Sequence, residues 1–157
     1  MIFKFEQDFA DSLRCIPMIV RLKLDQCGIK LKLHQWLRFS YQQRQSLVDL
    51  PTDTADNRAA YRAYLIHLIE SVCQEQAAEV IVDPNPAWED ATTIPDCVLE
   101  QAAAKGVVLT LELWQKLTPL QRFALIKLSR PGHENRNFLP AFQEFSAPHT
   151  YGHCPGS

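Results

Sequence analysis

Val20-Arg-Leu-Lys-Leu24, Asp25-Gln-Cys-Gly28 and Ile29-Lys-Leu-Lys-Leu33 form the stretch on which the fold turns. Apolar and charged residues alternate with period two on both sides of a glycine, which by itself reads as a β-hairpin. The chain then returns to the same frame 78 residues later. Ile16-Pro17…Gly28-Ile29-x-Leu31-x-Leu33-x-x-Trp36…Ser40-x-x-x-Arg44-x-x-Leu47-x-x-Leu50 matches Ile94-Pro95…Gly106-Val107-x-Leu109-x-Leu111-x-x-Trp114…Thr118-x-x-x-Arg122-x-x-Leu125-x-x-Leu128. Two copies at a period longer than the ~20–50 residues of solenoid arrays predict one pseudo-symmetric domain. In the second copy, residues 95–105 are rich in helix formers and open with Thr93-Ile-Pro95-Asp96, an N-cap with proline in the first turn. Gly106 then predicts a left-handed C-cap, with Val107 supplying the hydrophobic contact of a Schellman motif. If the copies share a fold, residues 17–27 are helical too, and a short hairpin near 20–33 becomes the minority reading. Local propensity alone favours the strand.

Working outward, Leu33, Trp36 and Leu37, like Leu111 and Trp114, recur at helical intervals that predict a buried face carrying the tryptophans. Capping boxes follow at Ser40-Tyr-Gln-Gln43 and Thr118-Pro-Leu-Gln121, each cap worth on the order of 1 kcal/mol. Arg44 and Arg122, at one helical position, suit a structural salt bridge or a hydrogen bond to a loop carbonyl. Gln42, Gln45 and Ser46 give way to Leu120, Phe123 and Ala124, so the helix at 119–130 is apolar nearly all round and needs cover on a second side. The helix predicted at about 55–76, with its stripe of Tyr61, Leu65, Leu68, Ile69 and Val72, is the expected cover. Residues 77–93 read as the irregular connection between the copies, pinned by Trp88. The expected architecture is all-α: a single compact domain over 1–145, with pseudo-repeated helix–turn–helix units at about 16–51 and 94–131. Residues 146–157 have the composition of a flexible tail.

Composition narrows the function classes. A chain of 157 residues with 46% hydrophobic and 22% charged residues can bury a core without staples. A formal charge of −2 provides no field for nucleic acid or an anionic membrane, and a helix-turn-helix regulator loses weight for the same reason. The start, Met1-Ile-Phe-Lys-Phe-Glu6, lacks the order of a signal peptide, and no apolar run approaches ~18 residues, so a cytoplasmic location is expected. Cysteines at 15, 27, 73, 97 and 154 are odd in number and never spaced Cys-x-x-Cys, which predicts reduced and mostly buried thiols. Cys15 and Cys27 are singled out as possible functional thiols because the matching positions of the second copy hold Thr93 and Lys105.

Signatures of catalysis are sparse: the chain has no glycine-rich phosphate loop, no Gly-x-Ser-x-Gly, no His-Glu-x-x-His and no paired cysteine motif. His34 and His67 lie in helical patterns without a sequence-adjacent carboxylate. His149, His153 and Cys154 have no second pair to complete a metal site. One segment exceeds structural need: Arg130-Pro-Gly-His133-Glu134-Asn135-Arg136-Asn137, between a helix stop and the apolar anchor Phe138. His133 and Glu134 could move protons, Arg130 and Arg136 could grip carboxylate or phosphate, and Asn135 and Asn137 are adaptable donors. A hydrogen-bonded C-cap and turn is the competing reading.

Long blocks of the chain resemble the nitrate reductase-associated protein family of cyanobacteria. They are Phe3-Lys-Phe-Glu6, Asp8-Phe9, Ser12-Leu-Arg-Cys-Ile-Pro-Met18, Val20-Arg21, Lys23-Leu-Asp25 and Cys27-Gly-Ile-Lys-Leu31, then Leu117 through Asn135 and Asn137-Phe138. Residues 52–87 match loosely and the tail after Phe145 departs. The resemblance implies an accessory or maturation factor for assimilatory nitrate reductase, an enzyme that carries molybdopterin and an iron–sulfur cluster. It implies protein–protein contact without catalysis, cofactor or metal of the chain's own. The alternative is a small enzyme or a carrier of cofactor or metal in molybdenum-cofactor delivery. The family brings no catalytic residues to transfer.

Overall fold

The computed structural model describes residues 2–7 and 15–147, without the side chains of His133 and Glu134. Asp8, Phe9 and Ser12–Arg14 of the family-like blocks lie outside the described residues, as do His149, His153 and Cys154. Contacts gather into two compact units, Met1–Asp90 and Ala91–Ser157, whose boundary falls inside the predicted connection at 77–93. The fold is mainly helical, with one small sheet of two strands among the described residues.

In the first unit the ambiguous stretch is helix α1, Met18–Cys27. Alternation fails as a guide because Lys23, nominally on the outer face of a strand, is buried with Leu22 and Leu24. Gly28 ends the helix at φ 74°, with its amide donating to Leu24 O at 2.9 Å. The chain then passes through strand β1, Ile29–Lys30, and two helices, α2 at Leu33–Arg38 and α3 at Tyr41–Asp49. Ser40 and Gln43 form the predicted capping box, the Ser40 Oγ accepting from Gln43 N at 3.1 Å. Thr54 caps α4, Ala55–Val72, whose stripe of Tyr61, Leu65, Leu68 and Ile69 is buried. Within its own unit this stripe is core, and α4 packs on α1.

The connection at 77–93 is less irregular than predicted. Ala78–Glu79 form β2, antiparallel to β1 with Ile29 opposite Glu79 and Lys30 opposite Ala78. Strands of two residues leave no periodic trace in a sequence. A 3₁₀ turn at Ala87–Glu89 follows and buries Trp88. At the other end of the unit, Glu6 is buried: its Oε1 accepts from Phe3 N at 3.3 Å and its Oε2 from Met18 N at 2.9 Å. One carboxylate thereby joins the N-terminal 3₁₀ turn, Lys4–Glu6, to the first turn of α1.

The second unit runs through the same order of helices at the 78-residue offset: α5 Asp96–Ala104, α6 Leu111–Lys116 and α7 Pro119–Leu128. Pro95 itself occupies the N-cap position of α5, where the sequence suggested a Thr93 cap with proline inside the turn. The Schellman motif is present: Gly106, at φ 72°, donates to Ala103 O at 3.0 Å and Val107 donates to Ala102 O at 3.0 Å. The cover for the apolar α7 is α8, Phe138–Ser146, a helix the sequence reading did not isolate. Pro140 obscured it, yet in the first turn a proline removes only an amide without an intrahelical acceptor.

The tryptophans fulfil the periodicity completely, since Trp36 and Trp114 both have 0% exposure. Their flanking leucines do not: Leu33, Leu37 and Leu111 are exposed. A helix of six residues presents one narrow face to a core, and Trp36 with Gln35 fills that of α2. Arg122 is buried and donates from one Nη1 to the carbonyls of Trp114 and Leu117, the carbonyl role expected of it.

Candidate functional site

The polar segment nominated by the sequence is a compact turn. Ser129 Oγ donates back to Leu125 O at 2.6 Å, and Gly132, at φ 144° and ψ −178°, takes a backbone conformation suited to glycine. His133–Asn137 then form one 3₁₀ turn, with Asn135 N donating to Gly132 O at 3.2 Å. Asn135 Oδ1 accepts from Gln101 Nε2 of α5 at 2.6 Å, so this side chain ties the turn to the helical frame. Arg130 and Arg136 are exposed, whereas Asn137 is half-buried at the head of α8. The turn therefore presents two guanidinium groups to solvent on a braced backbone, and a guanidinium can meet a carboxylate or phosphate with two hydrogen bonds.

The thiols separate into two kinds. Cys15 and Cys97 are exposed, while Cys27 and Cys73 are buried and unpaired. Cys27 Sγ donates to Arg58 O at 3.6 Å, and desolvation pushes its pKa up against the pull of Arg58, Arg62 and Lys23. Burial likewise raises the Cys73 thiol, with Glu75 adding to the effect. A thiol held protonated is poorly disposed to act as nucleophile or ligand, so Cys27 packs where Cys15 is reachable. Among the described residues no group of three or more His, Cys, Asp or Glu side chains is gathered to hold a metal.

Two features escaped sequence reasoning. The first is the end of α3, where the buried Lys23 reaches from α1 to donate to Val48 O at 2.6 Å and to Leu50 O. Its ammonium lies 5.8 Å from the centre of the Tyr61 ring, and the Tyr61 hydroxyl donates to Leu47 O at 2.6 Å. Burial lowers the Lys23 pKa, opposed by Asp49, yet the cation is well placed against the carbonyl end of a helix. Beside it opens a cleft of about 540 Å³ walled by Ser46, Asp49, Leu50, Pro51, Asn57, Ala60, Tyr61 and Tyr64. The matching position in the second copy is Gln101, and that exchange was the available signal.

The second feature is a hydrogen-bonded contact between His34 and Glu75. His34 has no acidic neighbour in sequence, but its Nε2 lies 2.8 Å from Glu75 Oε1 across 41 residues. The His34 hydrogen bond holds the Glu75 carboxyl below its ordinary pKa, and the charges of His34 and Lys32 pull the same way.

Taken together, these features define a mainly helical protein with a braced, arginine-bearing turn in one unit and, in the other, a cleft beside a buried lysine and a His34–Glu75 contact. The family model of the conserved nitrate reductase-associated proteins matches residues 2–145, and the chain belongs to that family. Neither the comparison with curated proteins nor that with solved structures finds a match.

Proposed function

We propose that this protein is a cytoplasmic, non-enzymatic accessory factor that binds assimilatory nitrate reductase and is needed for the enzyme to mature into its active form. The observation that carries this reading is family membership over nearly the whole chain, since the family is described by its association with nitrate reductase. The surface chemistry is compatible with a binding role. Arg130 and Arg136 stand exposed on a braced turn and, with His133, Glu134, Asn135 and Asn137, make the proposed contact on the second unit. Cys15 is an accessible thiol beside the first unit's opening helix. Nucleic acid and membrane are not part of the proposal, and no helix among the described residues is long and apolar enough to cross a bilayer.

The test is to produce nitrate reductase in cells with and without this chain and to compare activity per molybdenum-loaded enzyme, together with co-purification of the two proteins. The proposal expects low specific activity without the chain and recovery of the pair from cells that make both. Undiminished specific activity in its absence, with no co-purification, overturns it.

A further inference from the structure

Helix α2 turns an unusual face outward. Gln35 and Trp36 point into the core, and Leu33, His34, Leu37 and Arg38 take the opposite side, because residues four apart stack along a helix. Leu33 is 52% exposed, Leu37 47%, and Tyr41, which opens α3, 53%. Leu33 and Leu37 share a helix face, and with Tyr41 they give a ridge of three large apolar side chains within nine residues of chain, left exposed among the described residues.

The ridge lies in a one-signed stretch. Residues 29–48 contain Lys30, Lys32, Arg38 and Arg44 and not one Asp or Glu. Lys30, Lys32 and Arg38 are exposed. The matching stretch of the second unit, 107–126, replaces Lys30, Lys32, His34, Leu37 and Tyr41 with Val108, Thr110, Glu112, Gln115 and Pro119. There Glu112 is answered by Lys116 at 3.2 Å, so neither the ridge nor the charge recurs. The molecule also shows what this surface accepts: the Glu75 carboxylate already sits on the His34 ring, within the influence of Lys32.

We propose that the Leu33–Leu37–Tyr41 ridge, rimmed by Lys30, Lys32 and Arg38, is a docking surface for an acidic segment of the nitrate reductase that carries its own apolar anchors. The proposal rests on the reading that the chain binds that enzyme. Charge complementarity selects the occupant: carboxylates meet the basic rim while apolar side chains cover the leucines. An anionic bilayer is the poorer fit, because α2 has only six residues and the whole chain carries a formal charge of −2.

The experiment titrates purified nitrate reductase with the full chain, with Leu33→Ser/Leu37→Ser and with Lys32→Glu/Arg38→Glu, between about 50 and about 300 mM salt. All substituted side chains are exposed, so the folds are expected to match by circular dichroism. The serine pair should weaken binding by about tenfold or more, and the glutamate pair should weaken it and flatten its salt dependence. Wild-type affinity in both variants overturns the docking surface while leaving the proposed function standing. Failure of the wild-type chain to bind overturns both. Binding to phosphatidylserine-containing vesicles that both variants lose, with reductase binding unchanged, reassigns the ridge to lipid and overturns the proposal.

Discussion

Helices α1–α3 and α5–α7 start at positions 78 residues apart in the sequence, yet each set is completed by different material. In the first unit the left-handed glycine is crowded: a Cβ on Gly28 would lie 2.9 Å from Val80 O and 3.0 Å from a Val82 methyl. In the second, a Cβ on Gly106 meets nothing within 4 Å. The same turn is closed by a paired strand in one case and by a Schellman motif open to solvent in the other. Common positions thus supply the frame, and the differences decide what the frame supports.

The largest effect tests what the units hold in common. Trp36→Ala and Trp114→Ala each empty a fully buried site, and each should cost about 3–5 kcal/mol in urea unfolding. A substantial loss for one and none for the other would mean that the matched tryptophans do not play matched roles.

Glycine substitution sharpens the contrast. Gly106→Ala should cost about 1 kcal/mol for the left-handed backbone alone, whereas Gly28→Ala adds a collision with backbone and should cost about 2–4 kcal/mol. Equal losses in denaturation would show that the Val80–Val82 segment does not constrain Gly28.

The smallest effect concerns the His34–Glu75 pair, a long-range contact that the second unit does not repeat, since Glu112 at the matching position pairs with Lys116 one turn away. Glu75 has its carboxyl pKa lowered, so the ionised form is favoured in the folded state. Its contribution is complete above the unfolded value of 4.5 and is lost as the pH falls through the lowered folded value. Comparing acid unfolding of the wild type with Glu75→Gln should therefore show a small wild-type advantage near neutrality that shrinks at acid pH. A difference that grows on acidification would contradict the pairing.

Much of the frame was legible because it depends on strong local chemistry. Ser40 with Gln43 and Thr118 with Gln121 announce helix starts through paired side-chain caps, and the glycine at 28 and 106 announces stops. Comparison of the copies resolved the helix at 18–27 against its own alternating pattern. What could not be read depends on distant partners. The β1–β2 pairing joins residues 29–30 to 78–79, and His34 meets Glu75 only once α4 is in place. The polar turn at 130–137 was located, but the engagement of Asn135 by Gln101 needed three dimensions. The exposed ridge on α2 was misread as interior because period alone does not say how narrow a six-residue helix's buried face is.

The claim that the differences between the units carry binding is tested most directly by two surface substitutions of one kind, one in each unit. Leu37→Ser and Leu111→Ser each remove one exposed leucine, from the basic face of α2 and from the charge-balanced face of α6. In titrations against purified nitrate reductase, Leu37→Ser should weaken binding several-fold and Leu111→Ser should leave it at the wild-type value. Equal weakening by both, or a loss confined to Leu111→Ser, would contradict the account.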